Sequence, residues 1–206
     1  MHRYYTDAIF LIKLFYGWDV MRKIKIVVGN IKIGQALTWA YPAGDPSSTI
    51  YIIPTYEVTV SGIDDKGVPK TRKFEALRFG VQKKTASSSD LVVGLANTQT
   101  HIIKSWIPTY TVHSSTSTEN GAWQVYDSFL IHDGPDNVMN TRNIYASIGC
   151  VEIVGGPQGF VAFNDFIIEL SGASAKTKAS KLIEIGKAKS ISITYLAAAR
   201  PNLKLY

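Results

Sequence analysis

From residue 24 onward, apolar and polar residues follow each other with a period of two, the spacing of a half-buried strand. Residues 24–28 and 50–53 are short apolar runs, and Tyr56-Glu57-Val58-Thr59-Val60 alternates before a turn-rich stretch, residues 61–67, that predicts a hairpin connection. Residues 73–79 alternate again, and the small polar run 85–90 predicts a loop. Further strands are expected over residues 101–107, 110–113 and 123–132, the last reading as one or two strands ending at a histidine. A loop rich in Gly, Pro, Asn and Asp follows at 133–143. Residues 147–154 then run from a small-residue turn into a strand that Gly155-Gly156-Pro157 breaks.

The period changes after that break. Phe160, Phe163, Phe166, Ile167 and Leu170 recur at the three-to-four spacing of an amphipathic helix, stopped by Gly172. A second helix is expected within residues 174–187, and residues 190–195 read as a closing strand. There is no internal repeat and no interdomain linker. The pattern predicts one domain over residues 21–206, mainly β, a sandwich or barrel with one or two short helices near the C-terminus. Residues 1–20 read as an extension that folding does not need. Their apolar residues 8–12 and 14–16 are interrupted by Lys13, too short and too charged for a membrane span, and no small-x-small cleavage site follows to make a recognisable signal peptide.

Composition narrows this further. The 206 residues are 46% hydrophobic and 11% aromatic with 16 Gly and 8 Pro, enough for one sizeable core and unlike a coiled coil or a disordered tail. The net charge of +6 is local: residues 172–206 hold seven basic residues against one acid, Glu184, and the rest of the chain is balanced. A nucleic-acid groove would spread basic residues over a face with interleaved aromatics, so no nucleic-acid partner is expected. The basic segment reads as a solvated helix face or as an anchor on an anionic surface. A single cysteine, Cys150, excludes an intrachain disulfide and a cysteine-cluster zinc site, and four scattered histidines offer no His-rich ligand set. No metal and no organic cofactor is expected, and no Gly-rich phosphate loop is present.

What remains is a histidine at a strand end, a long loop, and a small-residue turn bearing the one thiol. A thiol nucleophile needs a base to remove its proton and a tight turn whose N–H groups face a developing oxyanion. His132 and Cys150 meet the first need, and the N–H groups of Gly149 and Cys150 are candidates for the second, since glycine lets the backbone approach closely. His101 and His113 sit on alternating strands as surface or core residues. Trp106, Trp123, Tyr110 and Tyr126 read as core or cleft walls, and Asp133 and Asp136 as turn formers.

The stretches Ile131-His132-Asp133-Gly134 and Ser147-Ile148-Gly149-Cys150-Val151 resemble the catalytic motif of the L,D-transpeptidase family, cysteine enzymes of bacterial peptidoglycan. In that family a histidine followed by glycine precedes Ser/Thr-x-Gly-Cys-Ile/Val-Arg on a β-rich domain. The resemblance covers residues 131–154 and is only textural elsewhere. Gly134 falls one place later than the pattern, and Glu152 stands where the family has an arginine that holds the acyl donor's carboxylate, so the chain is a divergent match. The resemblance implies Cys150 as nucleophile, His132 as proton shuttle, Gly149 as oxyanion donor and Ser147 as a residue orienting the turn or the imidazole. It also implies Gly134, Glu152 and the loop residue Arg142 on the substrate side. The substrate it implies is a peptidoglycan stem peptide, processed by transpeptidation, D-amino-acid exchange or carboxypeptidase action. The implied location is the bacterial periplasm or envelope, or a target cell reached through secretion machinery, with an immunity protein as a further partner. The rival expectation is a non-enzymatic β-sandwich module that binds cell wall or a partner protein.

Overall fold

The computed structural model describes residues 21–42, 49–111, 120–141 and 146–206. The expected strand over residues 24–28 is the start of a much longer one, β1 (Ile24–Trp39). Register shifts between Val28 and Lys32 and between Lys32 and Gly34 break its period of two and leave Ile31 and Ile33 exposed, which is why the sequence pattern fades after Val28. β2 (Ile50–Ile63) and β3 (Pro69–Leu77) form the expected hairpin. At its tip the buried Asp64 carboxylate accepts the Lys66 and Val68 N–H groups, which holds it below the usual carboxylate range.

β4 (Gly80–Thr85) and β5 (Ser88–Val92) pair as a separate two-stranded ribbon, so the polar run at 85–90 is a hairpin tip with ladder-forming residues rather than an open loop. Residues 101–107 are also not one strand. They divide into β6 (Gln99–Ile102) and β7 (Ser105–Ile107). The stretch expected as one or two strands is two, β8 (Ala122–Tyr126) and β9 (Phe129–Asp133), paired as a hairpin, and β10 (Val151–Ile153) follows Cys150. The strand expected at residues 110–113 is not formed by Tyr110 or Thr111, and its remainder lies outside the described residues.

The first predicted helix is α1 (Phe160–Ser171), ended by Gly172 in the left-handed conformation that only glycine adopts cheaply. The second, α2 (Lys178–Ala188), starts later than its pattern because Thr177 and Ser180 form a reciprocal cap that fixes the first turn. β11 (Ile191–Tyr195) and the short β12 (Lys204–Leu205) complete the chain. The protein is mainly β, with two short helices near the C-terminus. The basic segment is not an appendage: its β11 runs parallel beside β1, and two of its cations are paired, Lys178 with Asp165 and Arg200 with Asp90. No helix among the described residues is long and apolar enough to cross a membrane.

The main sheet is mixed, in the order β6-β11-β1-β2-β3-β10-β9-β8-β7, with β12 added to β2. Its two edge strands, β6 and β7, are joined by only Ile103 and Lys104. Two residues reach less than about 11 Å, so the sheet must coil until its edges approach. The coil encloses one face. Ile24, Ile26, Val58, Val60, Trp123, Ile131, Val151 and Ile193 project into it and pack against Phe160, Phe163, Phe166 and Ile167 of α1. Since side chains alternate across a strand, the neighbouring residues of β8, β9 and β10 project to the opposite face.

Candidate functional site

That opposite face carries the residues singled out by the sequence. β9 and β10 are parallel neighbours with Glu152 opposite His132, and Ala122 of β8 pairs with His132 from the other side. Cross-strand partners share a face, and Cys150, two residues before Glu152, continues its alternation. Thiol, imidazole and carboxyl therefore stand together, with Cys150 packed among Ala122, Leu130, Ile107 and Tyr110. The cluster is covered: Cys150, His132 and Glu152 expose 3%, 1% and 2% of their surfaces.

The turn before β10 has the geometry its composition suggests. Gly149 has φ +93°, and a Cβ there would press on the Val92 side chain. Gly80, the first residue of β4, lies against the same turn: Val81 donates its N–H to the Ser147 carbonyl at 3.0 Å, and any side chain on Gly80 would run into the Ser147 and Gly149 backbone. The ribbon thus clamps the turn that precedes Cys150. Ser147 donates its backbone N–H to the Thr38 hydroxyl oxygen at 3.2 Å, accepts the Gly149 N–H on its own Oγ at 3.4 Å, and donates its hydroxyl to the Glu152 carboxyl. These contacts tie Ser147 to Thr38 of β1, to Gly149 in the turn and to Glu152. The Gly149 N–H, expected to face an oxyanion, is directed to Ser147 instead.

His132 holds Asp133 O at 2.7 Å from Nδ1. A carbonyl oxygen only accepts, so Nδ1 donates its proton to it and the ring is held in one orientation. The sequence predicts a backbone carbonyl as this partner without naming it. Tyr110, expected as core or cleft wall, stacks at a tilt on the imidazole, with centroids 5.2 Å apart. Asp133 is a buried strand end rather than a turn former. Gly134 donates its N–H to the Ile153 carbonyl at 2.8 Å and extends the parallel ladder, where a Cβ would press on Glu152. Arg142 and His113 lie outside the described residues, as do residues 1–20 and most of the 114–121 loop. His101 is away from the cluster, stacked on Tyr126 at 4.2 Å.

The electrostatics follow from burial. Loss of water pushes the Cys150 thiol up to about 12; the Leu130 backbone hydrogen bond opposes this and the Glu152 charge adds to it. The thiol hydrogen points toward the Ser128 carbonyl, 3.9 Å away. Burial likewise raises Glu152 to about 8, with the Ser147 hydrogen bond lowering it and the nearby Asp133 carboxyl raising it. The Tyr110 phenol rises to about 12, first from burial and then from Cys150 and Glu152. At neutral pH the site holds a neutral thiol and a neutral Glu152 carboxyl. A separate groove of about 360 Å³, lined by Lys32, Gln35, Ile52, Pro54, Pro201 and Lys204 among others, shares no residue with this cluster.

Asp133 is read from the sequence as a turn former, and Tyr110 as a core or cleft wall with no partner assigned. Asp133 directly follows the histidine in a strand-forming run, which was an available signal; nothing in the local pattern links Tyr110 to a residue 40 positions away. No family model, no curated protein and no solved structure matches this chain.

Proposed function

We propose that the chain is a cysteine-dependent peptidoglycan-modifying enzyme that acts on stem peptides through an acyl-enzyme on Cys150. The observation that carries this reading is the buried face shared by thiol and imidazole: His132 stands in register with Glu152, two residues beyond Cys150, and its ring is held at Nδ1 by the Asp133 carbonyl. The motif of residues 131–134 and 147–151, which resembles the L,D-transpeptidase signature, supplies the substrate class.

The chemistry runs in two halves. Cys150 loses its proton to His132, and its sulfur attacks the carbonyl of the L-centre of the diamino acid in a stem tetrapeptide. The tetrahedral oxyanion needs N–H donors, which the 149–150 turn provides once the Gly149 amide leaves Ser147. The bond to D-alanine breaks, its amine takes the proton from His132, and a thioester remains. An acceptor amine then gives transpeptidation, a D-amino acid gives exchange, and water gives carboxypeptidase action. Because Tyr110 and its neighbours cover the sulfur, donor binding must displace part of that cover. The substrate places the protein in the bacterial periplasm or envelope, or in a target cell as a secreted antibacterial effector countered by an immunity protein.

The neutral, covered thiol favours a second reading, a non-enzymatic module that binds cell wall or a partner protein. Mass spectrometry of purified peptidoglycan fragments incubated with the wild type and with Cys150→Ala separates the two. Loss of terminal D-alanine, D-amino-acid exchange or new cross-links with the wild type alone is expected. Unchanged fragments with both proteins, each still sedimenting with cell walls, would favour the module.

A further inference from the structure

Among the described residues, the elements next to Glu152 present these groups to it. β9 presents His132 in register and Asp133 beside it; the turn presents Ser147 and Cys150; the segment after β7 presents Tyr110; and β3 presents only the apolar Leu77 as register partner. One hydroxyl, that of Ser147, joins the Glu152 carboxyl to the Gly149 N–H next to the nucleophile. The carboxyl therefore bears on both groups that the proposed reaction needs, the sulfur through space and the amide through Ser147. In so little water, a charge on Glu152 acts strongly on a second negative charge at Cys150.

We propose that Glu152 is a positioning residue that governs Cys150: its neutral carboxyl permits the thiolate, and its ionised carboxyl withholds it. The catalytic meaning of this rests on the reading of Cys150 as nucleophile, while the effect on the thiol does not. Ionisation of Glu152 also strengthens its hold on the Ser147 hydroxyl, and with it the conformation in which Gly149 is turned away from substrate. The rise of the thiolate with pH is thereby held back on the alkaline side.

The test is the rate at which iodoacetamide alkylates Cys150 in the full chain between pH 6 and pH 9.5, wild type against Glu152→Gln. At pH 6 both side chains are neutral and the two rates should agree. Toward pH 9.5 the Gln variant should become about tenfold faster, the consequence of one pKa unit of removed repulsion. A ratio that stays at one throughout overturns the proposal, and so does a uniform increase at every pH, which loosened packing alone would give. Should Glu152→Gln fail to fold, Ser147→Ala reads the same coupling. It removes a hydrogen bond that favours the ionised carboxyl, so the pH at which the wild-type rate begins to lag should move upward, and an unmoved profile counts against the proposal. Inactivity on peptidoglycan fragments with this alkylation pattern intact would sink the enzyme reading alone.

Discussion

His132 and Glu152 stand directly opposite each other on the parallel strands β9 and β10, and this register brings an imidazole, a carboxyl and the thiol of Cys150 onto one buried face. Parallel neighbours need a long connection, and residues 134–150 provide it. The connection returns on the turn that carries the thiol.

Glu152 makes the fold sensitive to mild alkali. Its carboxyl rises from 4.5 to about 8 on folding, so the folded chain binds more protons than the unfolded chain between those values, and stability falls as pH rises through that window. The integrated loss is on the order of 5 kcal/mol. Cys150, raised from 9.0 to about 12, continues the decline above pH 9. Asp64 and Asp90 are lowered instead, so their contribution is lost as pH falls below the ordinary carboxylate range. Urea midpoints measured from pH 3 to pH 9 should therefore peak near pH 5 and fall toward pH 8, with the alkaline slope largely removed in Glu152→Gln.

Gly80→Ala should cost about 2–4 kcal/mol, because the new Cβ meets the Ser147 and Gly149 backbone, which cannot rotate away. Gly67→Ala is the comparison. Gly67 has a positive φ, unlike Gly80, but open space around it, and its loss should cost about 1 kcal/mol in denaturant midpoints. Equal costs would mean that the ribbon does not clamp the turn.

Tyr110 covers the imidazole and the thiol from a short segment outside the sheet. Tyr110→Ala should raise the alkylation rate of Cys150 several-fold at constant pH, at a stability cost of about 1–2 kcal/mol. Tyr110→Phe, which keeps the ring, should leave the rate near wild type.

In the proposed mechanism His132→Gln removes the proton acceptor while keeping a polar side chain of similar length. Turnover of stem peptides should fall by about 10²- to 10⁴-fold with a smaller change in KM, as expected for lost general acid–base catalysis. A change confined to KM would assign His132 to binding.

Much of the fold was legible because single periods govern whole elements. The spacing from Phe160 to Leu170 with Gly172 behind it marks α1, and the alternation through residues 56–60 and 123–132 marks strands. The latter half of β1 was not legible, since two register shifts put Ile31 and Ile33 in water and disguise the period. Nor was the separation of β6 from β7, which depends on where distant strands dock rather than on residues 103–104. At the site, the positive φ of Gly149 follows from the small-residue turn, and the strand-end place of His132 from the alternation before it. The burial of Glu152 and the place of Tyr110 come from the register of β9 on β10 and from the path after β7, which no local pattern encodes.

The most direct test of an acyl-transfer role for Cys150 is the intact mass of the protein after brief incubation with a stem tetrapeptide at pH 7 and acid quenching. Wild-type protein should gain the mass of the donor less D-alanine, with peptide mapping placing the adduct on Cys150, and Cys150→Ala should gain nothing. An unmodified wild type, with the tetrapeptide recovered whole, would contradict a thioester on Cys150.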